Sequence, residues 1–172
     1  MEIEQINHID GVIIGMVLQA GMGQNPARQC ALKAGLSYLT PCFTVNKVCG
    51  SSMKAAELAF NYIKFNKGSF YFAGGIENMS MSPYLDFNTR WGSKLGHQSL
   101  IDEMITEGLC CPFNNLHMGQ ITEQLAKKNN ITRYDQDVFS YESNLKALQA
   151  IKENKFNDEI VGVEVFDNKA KK

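Results

Sequence analysis

The sequence predicts an α/β protein in which a mostly parallel sheet is covered by helices. An apolar, β-branched run over 11–18 is followed by a glycine turn and a helical pattern. A second run over 43–48 is also followed by a helical pattern, and a third over 70–73 ends at two glycines. Strands and helices that alternate at this spacing are typical of parallel sheets buried on both faces.

The first strand is predicted over 11–18, because a continuous apolar run suits a strand that is buried on both faces. The glycines at 21 and 23 follow it. They lack the third glycine of a dinucleotide-binding fingerprint, so we interpret 21–23 as a tight turn. A helix is then expected over 27–34, capped by Asn25 and ended by Gly35.

The second strand and helix enclose a cysteine. The strand is predicted over 43–48, Cys49 follows it, and the helix begins at Ser51 or Ser52. Apolar residues recur at helical spacing through this helix, namely Met53, Ala56, Phe60 and Ile63. The third strand is predicted over 70–73.

The periodicity is lost from 84 to 113, where several glycines and Trp91 lie among polar residues. A short helix is expected over 100–106. A loop of about 30 residues inside a compact domain is uncommon, and such loops are generally functional or packed on a partner. We interpret residues from about 84 to 155 as a loop and insert region of the domain.

Regular patterns return near the C-terminal end of the sequence. A helix is expected over 118–129, and Thr132 with Asp135 forms a capping-box pattern ahead of a second helix. The apolar residues of that helix are Val138, Tyr141, Leu145, Leu148 and Ile151. A final strand is predicted over 158–165, with alternate residues on one face.

Charge and apolar length exclude several classes of partner. The 172 residues contain 17 Lys plus Arg and 18 Asp plus Glu, a net charge of −1, with no basic cluster, which argues against a nucleic-acid partner. The apolar stretch over 12–18 is shorter than the roughly 20 residues that cross a bilayer. The first residues do not resemble a secretory signal. We therefore expect a cytoplasmic protein with no membrane span.

The cysteines do not form a metal-binding or disulfide pattern. Their number is odd, with no Cys-x-x-Cys pair and no Cys/His set at zinc spacing: they are Cys30, Cys42, Cys49, Cys110 and Cys111. We expect no disulfide and no metal site, and we interpret the adjacent Cys110 and Cys111 as small buried residues.

Cys49 is the candidate nucleophile. A cysteine between a strand and a helix can direct its sulfur and its backbone N–H at a substrate, and the helix dipole favours negative charge there. The small residues after it leave room for an acyl group. A cysteine at such a junction can also serve packing alone. His117 can be a base, a ligand contact or a capping histidine.

Five motifs, in order along the chain, carry a resemblance to a known family. They are NPARQ at 25–29, VNKVCGS at 45–51, GGIENMS at 74–80, HMG at 117–119 and DEIV at 158–161. Together they resemble thiolases, specifically acetyl-CoA acetyltransferases, over residues 10–165. The resemblance implies that Cys49 takes an acetyl group from acetyl-CoA, and that a second acetyl-CoA then attacks as an enolate to give acetoacetyl-CoA.

The resemblance also implies roles for other positions. Leu109 resembles a residue of the loop that covers coenzyme A, His117 one that lines the pantetheine tunnel, and Met118 one that shapes the acyl pocket. Trp91 falls where these enzymes carry an oligomerisation loop, although a surface loop with one packed aromatic is an equal alternative. No permanently bound cofactor is implied, since the coenzyme A thioester is the substrate.

The extent of the resemblance implies a partial domain. Residues 1–172 correspond to a thiolase N-terminal domain without its first strand, and no C-terminal domain with its histidine, second cysteine and asparagine follows. We expect an incomplete sheet with unpaired edges. Condensation then needs a separately encoded C-terminal half, and the chain is expected to be inactive without one. Homo-oligomerisation is also expected.

Two alternative functions stay open at this point. The chain can be a non-catalytic thiolase remnant that binds coenzyme A or another partner. It can also be a cysteine hydrolase that uses Cys49 and His117, although no residue to orient the histidine is evident.

Overall fold

The computed structural model describes residues 8–164. The chain divides into two compact units, Met1–Met118 and Gly119–Lys172. The described part of the first unit is 8–118, and that of the second is 119–164.

The first unit is built on a three-stranded parallel sheet with strand order β2-β1-β3. Its strands and the helices that connect them are β1 (Gly11–Gly15), α1 (Pro26–Lys33), β2 (Cys42–Val45), α2 (Ser51–Lys64) and β3 (Tyr71–Gly75). In the register of the sheet, Ile13 lies between Phe43 and Ala73. The three predicted strands and the two predicted helices of this sheet are present, and the predicted strands over 11–18 and 43–48 end early, at Gly15 and Val45.

The sheet separates two apolar clusters. One consists of the buried residues Ile9, Val12, Ala31 and Leu36. The other consists of the buried residues Ile13, Ala55 and Ala59. Successive side chains of a strand point to opposite faces, so Val12 packs under α1 and Ile13, which is 0% exposed, packs under α2.

Asn25 caps α1, as predicted, and also joins this helix to β2. Its Oδ1 accepts the N–H of Arg28 (3.2 Å), and its Nδ2 donates to the carbonyl of Cys42 (3.0 Å). The guanidinium of Arg28 donates to the carbonyl of Thr40 (2.7 Å) and to that of Tyr38 (2.5 Å). The motif at 25–29 therefore has a structural role in this fold: its hydrogen bonds hold α1 against β2.

The buried face of α2 differs from the one that its apolar residues indicate. The helix forms where expected, but the residues whose spacing predicted it are exposed: Met53, Ala56, Phe60 and Ile63. Ala55 and Ala59 are buried in their place. Small side chains are needed there because glycines at the ends of β1 and β3 bring the helix close to the sheet.

The aperiodic region contains more regular structure than predicted. It holds β4 (Tyr84–Leu85), β5 (Ile101–Asp102), a π-helical turn (Met104–Leu109) and a 3₁₀ turn (Thr89–Trp91), and another 3₁₀ turn (Met79–Met81) lies just before it. Strands β4 and β5 pair in antiparallel fashion. The helix predicted over 100–106 is wrong in position and type, because residues 101–102 are paired to β4 and the helical turn begins after them.

The second unit consists mainly of helices. Helix α3 (Met118–Lys128) begins at the last residue of the first unit, and α4 (Arg133–Lys152) follows it. The predicted capping box is confirmed, since Thr132 Oγ1 accepts the N–H of Asp135 (3.2 Å) and the Asp135 carboxylate accepts the N–H of Thr132 (2.9 Å). Among residues 8–164, no helix is long and apolar enough to cross a membrane.

The strand predicted over 158–165 is wrong for the residues described, 158–164, and Val165 lies outside them. Residues 160–164 pair with none of the five described strands. A strand needs a neighbouring backbone for its hydrogen bonds, and alternating apolar residues alone do not provide one.

Candidate active site

Cys49 lies in a turn between β2 and α2, residues 46–51, which we call the cysteine turn. Val48 has φ 48°, in the left-handed region that β-branched residues rarely adopt. Its N–H donates to Asn46 Oδ1 (2.9 Å). Strained backbone of this kind persists only where the surroundings fix it, and it is concentrated at functional sites.

Ser51 fixes the same turn from the other side. Its Oγ accepts the N–H of Lys47 (2.8 Å) and donates to the carbonyl of Val48 (2.5 Å). The N–H of Gly50 also donates to the carbonyl of Lys47 (3.1 Å). Since Ser51 is buried, these bonds are protected from water, and the backbone on both sides of Cys49 is held in place.

Two glycines let the start of α2 approach the sheet closely. A Cβ on Gly15 would lie 2.4 Å from the carbonyl carbon of Ser51, and a Cβ on Gly75 would lie 2.9 Å from the Cβ of Ser52. Both distances are too short for real side chains. The ends of β1 and β3 therefore set the position of the cysteine turn.

Cys49 itself is exposed, beside the first turn of α2. That helix has Gly50 at its N-cap and no side-chain cap, whereas α1 and α4 are capped by Asn25 and Thr132. The positive end of the α2 dipole is thus directed at the space around the sulfur. The N–H groups of Gly50 and Ser51 already donate to the carbonyls of Lys47 and Val48, both at 3.1 Å, so stabilisation of a developing oxyanion falls to the N–H groups that follow them in the first turn.

Two clefts meet at Cys49. The first has a volume of about 290 Å³ and is lined by Gly15, Met16, Val17, Val48, Cys49, Ser51, Ser52, Gly75, Ile76 and Glu77. The second has a volume of about 200 Å³ and is lined by Val17, Leu18, Val48, Cys49, Glu77, Met79, Met104, Gly108 and Leu109. The two share four residues, among them the candidate nucleophile. An elongated ligand could therefore extend to both sides of the sulfur.

Glu77 lines both clefts, and each of its two carboxylate oxygens already accepts a hydrogen bond from the backbone. Its Oε2 accepts the N–H of Val17 (2.9 Å) and its Oε1 accepts the N–H of Leu18 (3.2 Å). The loop after β1 is thereby tied to the end of β3. The sequence pattern indicated no role for Glu77, although its position within the motif at 74–80 is a signal that could have identified it.

The structure brings only some of the predicted site residues together. Leu109 lines the second cleft with Cys49, and Met104 and Gly108 from the same π-helical turn lie beside it. His117 and Met118 line neither cleft. Both are exposed, and His117 is connected to this region by a β-bridge to Cys110, the residue after Leu109.

Metal-ligating side chains do not cluster in the described structure. Within residues 8–164, no three His, Cys, Asp or Glu residues are placed to hold an ion together. The groups that line the two clefts are a thiol, the carboxylate of Glu77, the serines at 51 and 52 and apolar side chains.

The family model described as "Thiolase, N-terminal domain" matches residues 3–172. The chain belongs to the thiolase family. A "Probable acetyl-CoA acyltransferase" from Staphylococcus aureus strain COL is 49% identical over 163 residues, which cover 95% of this chain and 42% of that relative. The protein of the same description from strain NCTC 8325 / PS 47 is 48% identical over 163 residues.

A solved structure shows the same fold. The Acat5 thiolase from Ascaris suum, crystallised in complex with coenzyme A, superposes with a TM-score of 0.87 at 36% identity. The match covers 93% of this chain and 41% of that one. The predicted family and the α/β fold class are confirmed. This thiolase chain thus spans about two fifths of the length of the relatives that it matches.

Proposed function

We propose that this chain carries the acyl-accepting site of a thiolase-type acyltransferase, with Cys49 as the nucleophile. The observation that carries the proposal is the exposure of Cys49 at the point where two clefts meet, in a turn with strained and doubly fixed backbone. A flexible loop would not hold Val48 in a strained conformation, so the turn around Cys49 is a fixed one. A cysteine used only for packing would be buried, whereas Cys49 is exposed.

The first step is transfer of an acetyl group from acetyl-CoA to Cys49. The sulfur, as thiolate, attacks the carbonyl carbon of the thioester and forms a new C–S bond. The bond from that carbon to the coenzyme A sulfur then breaks, and the departing sulfur takes up a proton. The positive end of the α2 dipole, beside Cys49, supports stabilisation of the intermediate oxyanion there.

In the second step the methyl carbon of a second acetyl-CoA, after losing a proton, attacks the carbonyl carbon of the acyl-cysteine. A C–C bond forms and the bond from that carbon to the Cys49 sulfur breaks, which gives acetoacetyl-CoA and the free Cys49 thiolate; thiolysis is the reverse. Removal of a proton from the methyl group of the second acetyl-CoA needs an acid–base group, and such groups contribute typically about 10²- to 10⁴-fold. The titratable residues that line the clefts are Cys49 and Glu77, and the Glu77 carboxylate already accepts two N–H groups. We therefore propose that condensation requires a C-terminal half.

The other predicted contacts belong to this proposal. Leu109 provides apolar surface for the pantetheine arm of coenzyme A, which the placement of Leu109 in the second cleft supports. His117 and Met118 complete the tunnel and the acyl pocket. We further propose that the protein acts in the cytoplasm, as a homo-oligomer or together with a C-terminal half.

A non-catalytic function is the second candidate. It is favoured by the lack of a free acid–base group among the residues that line the two clefts. In that case the chain binds coenzyme A, or a protein partner, through the same clefts, and Cys49 is inherited without use.

Mass spectrometry of the full chain after incubation with acetyl-CoA distinguishes these functions. Acyl transfer predicts one added acetyl group, which is lost in Cys49→Ala and retained in Cys30→Ala, a half-buried cysteine on α1. If folded protein shows no adduct but binds coenzyme A in calorimetry, the binding function is favoured. If it shows neither, both coenzyme A proposals fail.

Alkylation tests the accessibility of the nucleophile separately. Iodoacetamide should label Cys49 faster than Cys30 or Cys42 near neutral pH, because Cys49 is exposed and the other two are half-buried. Equal labelling in folded protein would contradict the placement of Cys49.

A further inference from the structure

Glu103 is a fully buried carboxylate that the proposed chemistry does not use. It is 0% exposed and lies directly before the π-helical turn Met104–Leu109. None of the ion pairs among residues 8–164 includes it. A carboxylate buried without a cation is costly unless hydrogen bonds satisfy it, so its presence in this place calls for a physical reason.

The hydrogen bonds of Glu103 connect three segments of the first unit. Its Oε1 accepts the N–H of Ala20 (3.0 Å), in the loop after β1, and its Oε2 accepts the hydroxyl of Ser82 (2.7 Å), before β4. Its own N–H donates to the carbonyl of Pro83 (3.3 Å). Glu103 thereby fixes the start of the π-helical turn against the loop that follows β1.

That turn provides one side of the second cleft. We call Met104, Gly108 and Leu109 the apolar wall, since all three line the cleft that contains Cys49. Val17 and Leu18, whose N–H groups Glu77 accepts, line the same cleft. Two carboxylates therefore connect the lining of this cleft to the loop after β1: Glu77 through two N–H groups and Glu103 through one.

We propose that Glu103 is a positioning residue that sets the apolar wall at its distance from Cys49 and so governs the fit of apolar groups beside the sulfur. This inference rests on the proposed function only where it concerns the binding of acyl groups of acyl-CoA beside Cys49. The effect on the wall is a property of the cleft itself, and it can be measured without acetyl-CoA.

The test compares two maleimides that alkylate Cys49 in the full chain. N-methylmaleimide is small, so its reaction with Cys49 depends little on the apolar wall. The cyclohexyl ring of N-cyclohexylmaleimide can pack against the wall, which raises its rate. The rate with N-cyclohexylmaleimide divided by the rate with N-methylmaleimide therefore measures whether the wall is in place. Peptide mass spectrometry assigns the label to Cys49. In Glu103→Leu we expect the ratio to fall about tenfold, as for the loss of hydrogen bonds to a charged group, while the N-methylmaleimide rate is unchanged.

Two further variants make the test specific. Glu103→Gln should restore the ratio, because its amide oxygen can accept from Ala20 and the Ser82 hydroxyl can turn to accept from its amide nitrogen. Glu107→Leu is the matched control, since Glu107 is exposed on the same π-helical turn. Its ratio should equal that of the unmodified chain.

Several results would overturn the proposal. An unchanged ratio in folded Glu103→Leu, an equal change in both rates, or the same fall in Glu107→Leu would each show that Glu103 does not set the wall. If Glu103→Leu does not fold, Ser82→Ala removes one of the bonds, and an unchanged ratio there would also refute it. Failure of the unmodified chain to accept an acetyl group would refute the proposed function alone.

Discussion

Gly15→Ala tests most directly whether the sheet positions the cysteine turn. The added Cβ would lie 2.4 Å from the carbonyl carbon of Ser51 and 2.5 Å from the nitrogen of Ser52, where ordinary contacts begin at 3.4 Å. Both atoms belong to the backbone, so no rotamer change relieves the overlap, and the start of α2 must move by about 1 Å. Overpacking of this kind lowers the free energy of unfolding by about 1–3 kcal/mol.

The displacement should also slow the chemistry at Cys49. A shift of about 1 Å in a reacting group can lower a rate about 100-fold, so acetylation of Cys49 should fall by up to that factor. Urea denaturation measures the loss of stability, and mass spectrometry measures the acetylation rate. Because the stability measurement does not depend on activity, the packing argument can be tested even if the chain accepts no acetyl group.

Gly74→Ala is the matched control for this prediction. Gly74 lies in β3, one residue before Gly75, and a Cβ there would meet no atom within 4 Å. We expect this variant to retain the stability and the acetylation rate of the unmodified chain. If Gly15→Ala matches Gly74→Ala in both measurements, close approach at Gly15 does not position the cysteine turn.

Three further predictions concern stability. Ser51→Ala removes a buried hydroxyl with two hydrogen bonds and should lower the free energy of unfolding in urea by about 1–3 kcal/mol. Thr132→Ala removes the capping box and should cost about 0.5–2 kcal/mol, seen as lost helix content by circular dichroism with no change in Cys49 labelling. The pKa of Asp10 lies below its ordinary value of 3.8 because its carboxylate accepts the N–H groups of Ser69 and Phe70. Its stabilising effect is therefore present above the ordinary pKa and is lost as the pH falls through the lower folded-state value, and Asp10→Asn should flatten the pH dependence of stability in that acidic range.

Local patterns in the sequence predicted the elements that local physics determines. The Asn25 cap and the Thr132 capping box depend on residues close in sequence, and both are confirmed. The buried face of α2 could not be predicted in this way, because it depends on the contact of the helix with Gly15 and Gly75. The prediction of a strand over 158–165 is wrong for a related reason, since a strand is defined by a hydrogen-bonded partner that can lie anywhere in the chain.

In the candidate site, too, the residues set by local sequence could be predicted, and those set by tertiary contacts could not. Cys49 was located by its place between a strand and a helix, and Leu109 by the family resemblance. Glu77 and Glu103 received no role, because charged residues in irregular segments are usually solvated, and only the fold shows that their carboxylates accept backbone N–H groups. The roles of His117 and Met118 stay predictions.

The bonds made by Glu77 and Glu103 have a consequence for the order in which the molecule is assembled. They join positions about 60 and 83 residues apart, from Val17 to Glu77 and from Ala20 to Glu103. Strands β1 and β2, and Cys49 itself, are synthesised before either carboxylate. The cleft beside Cys49 is therefore completed only after the chain has been synthesised as far as Leu109, and the thiol is made before the apolar wall that lies beside it.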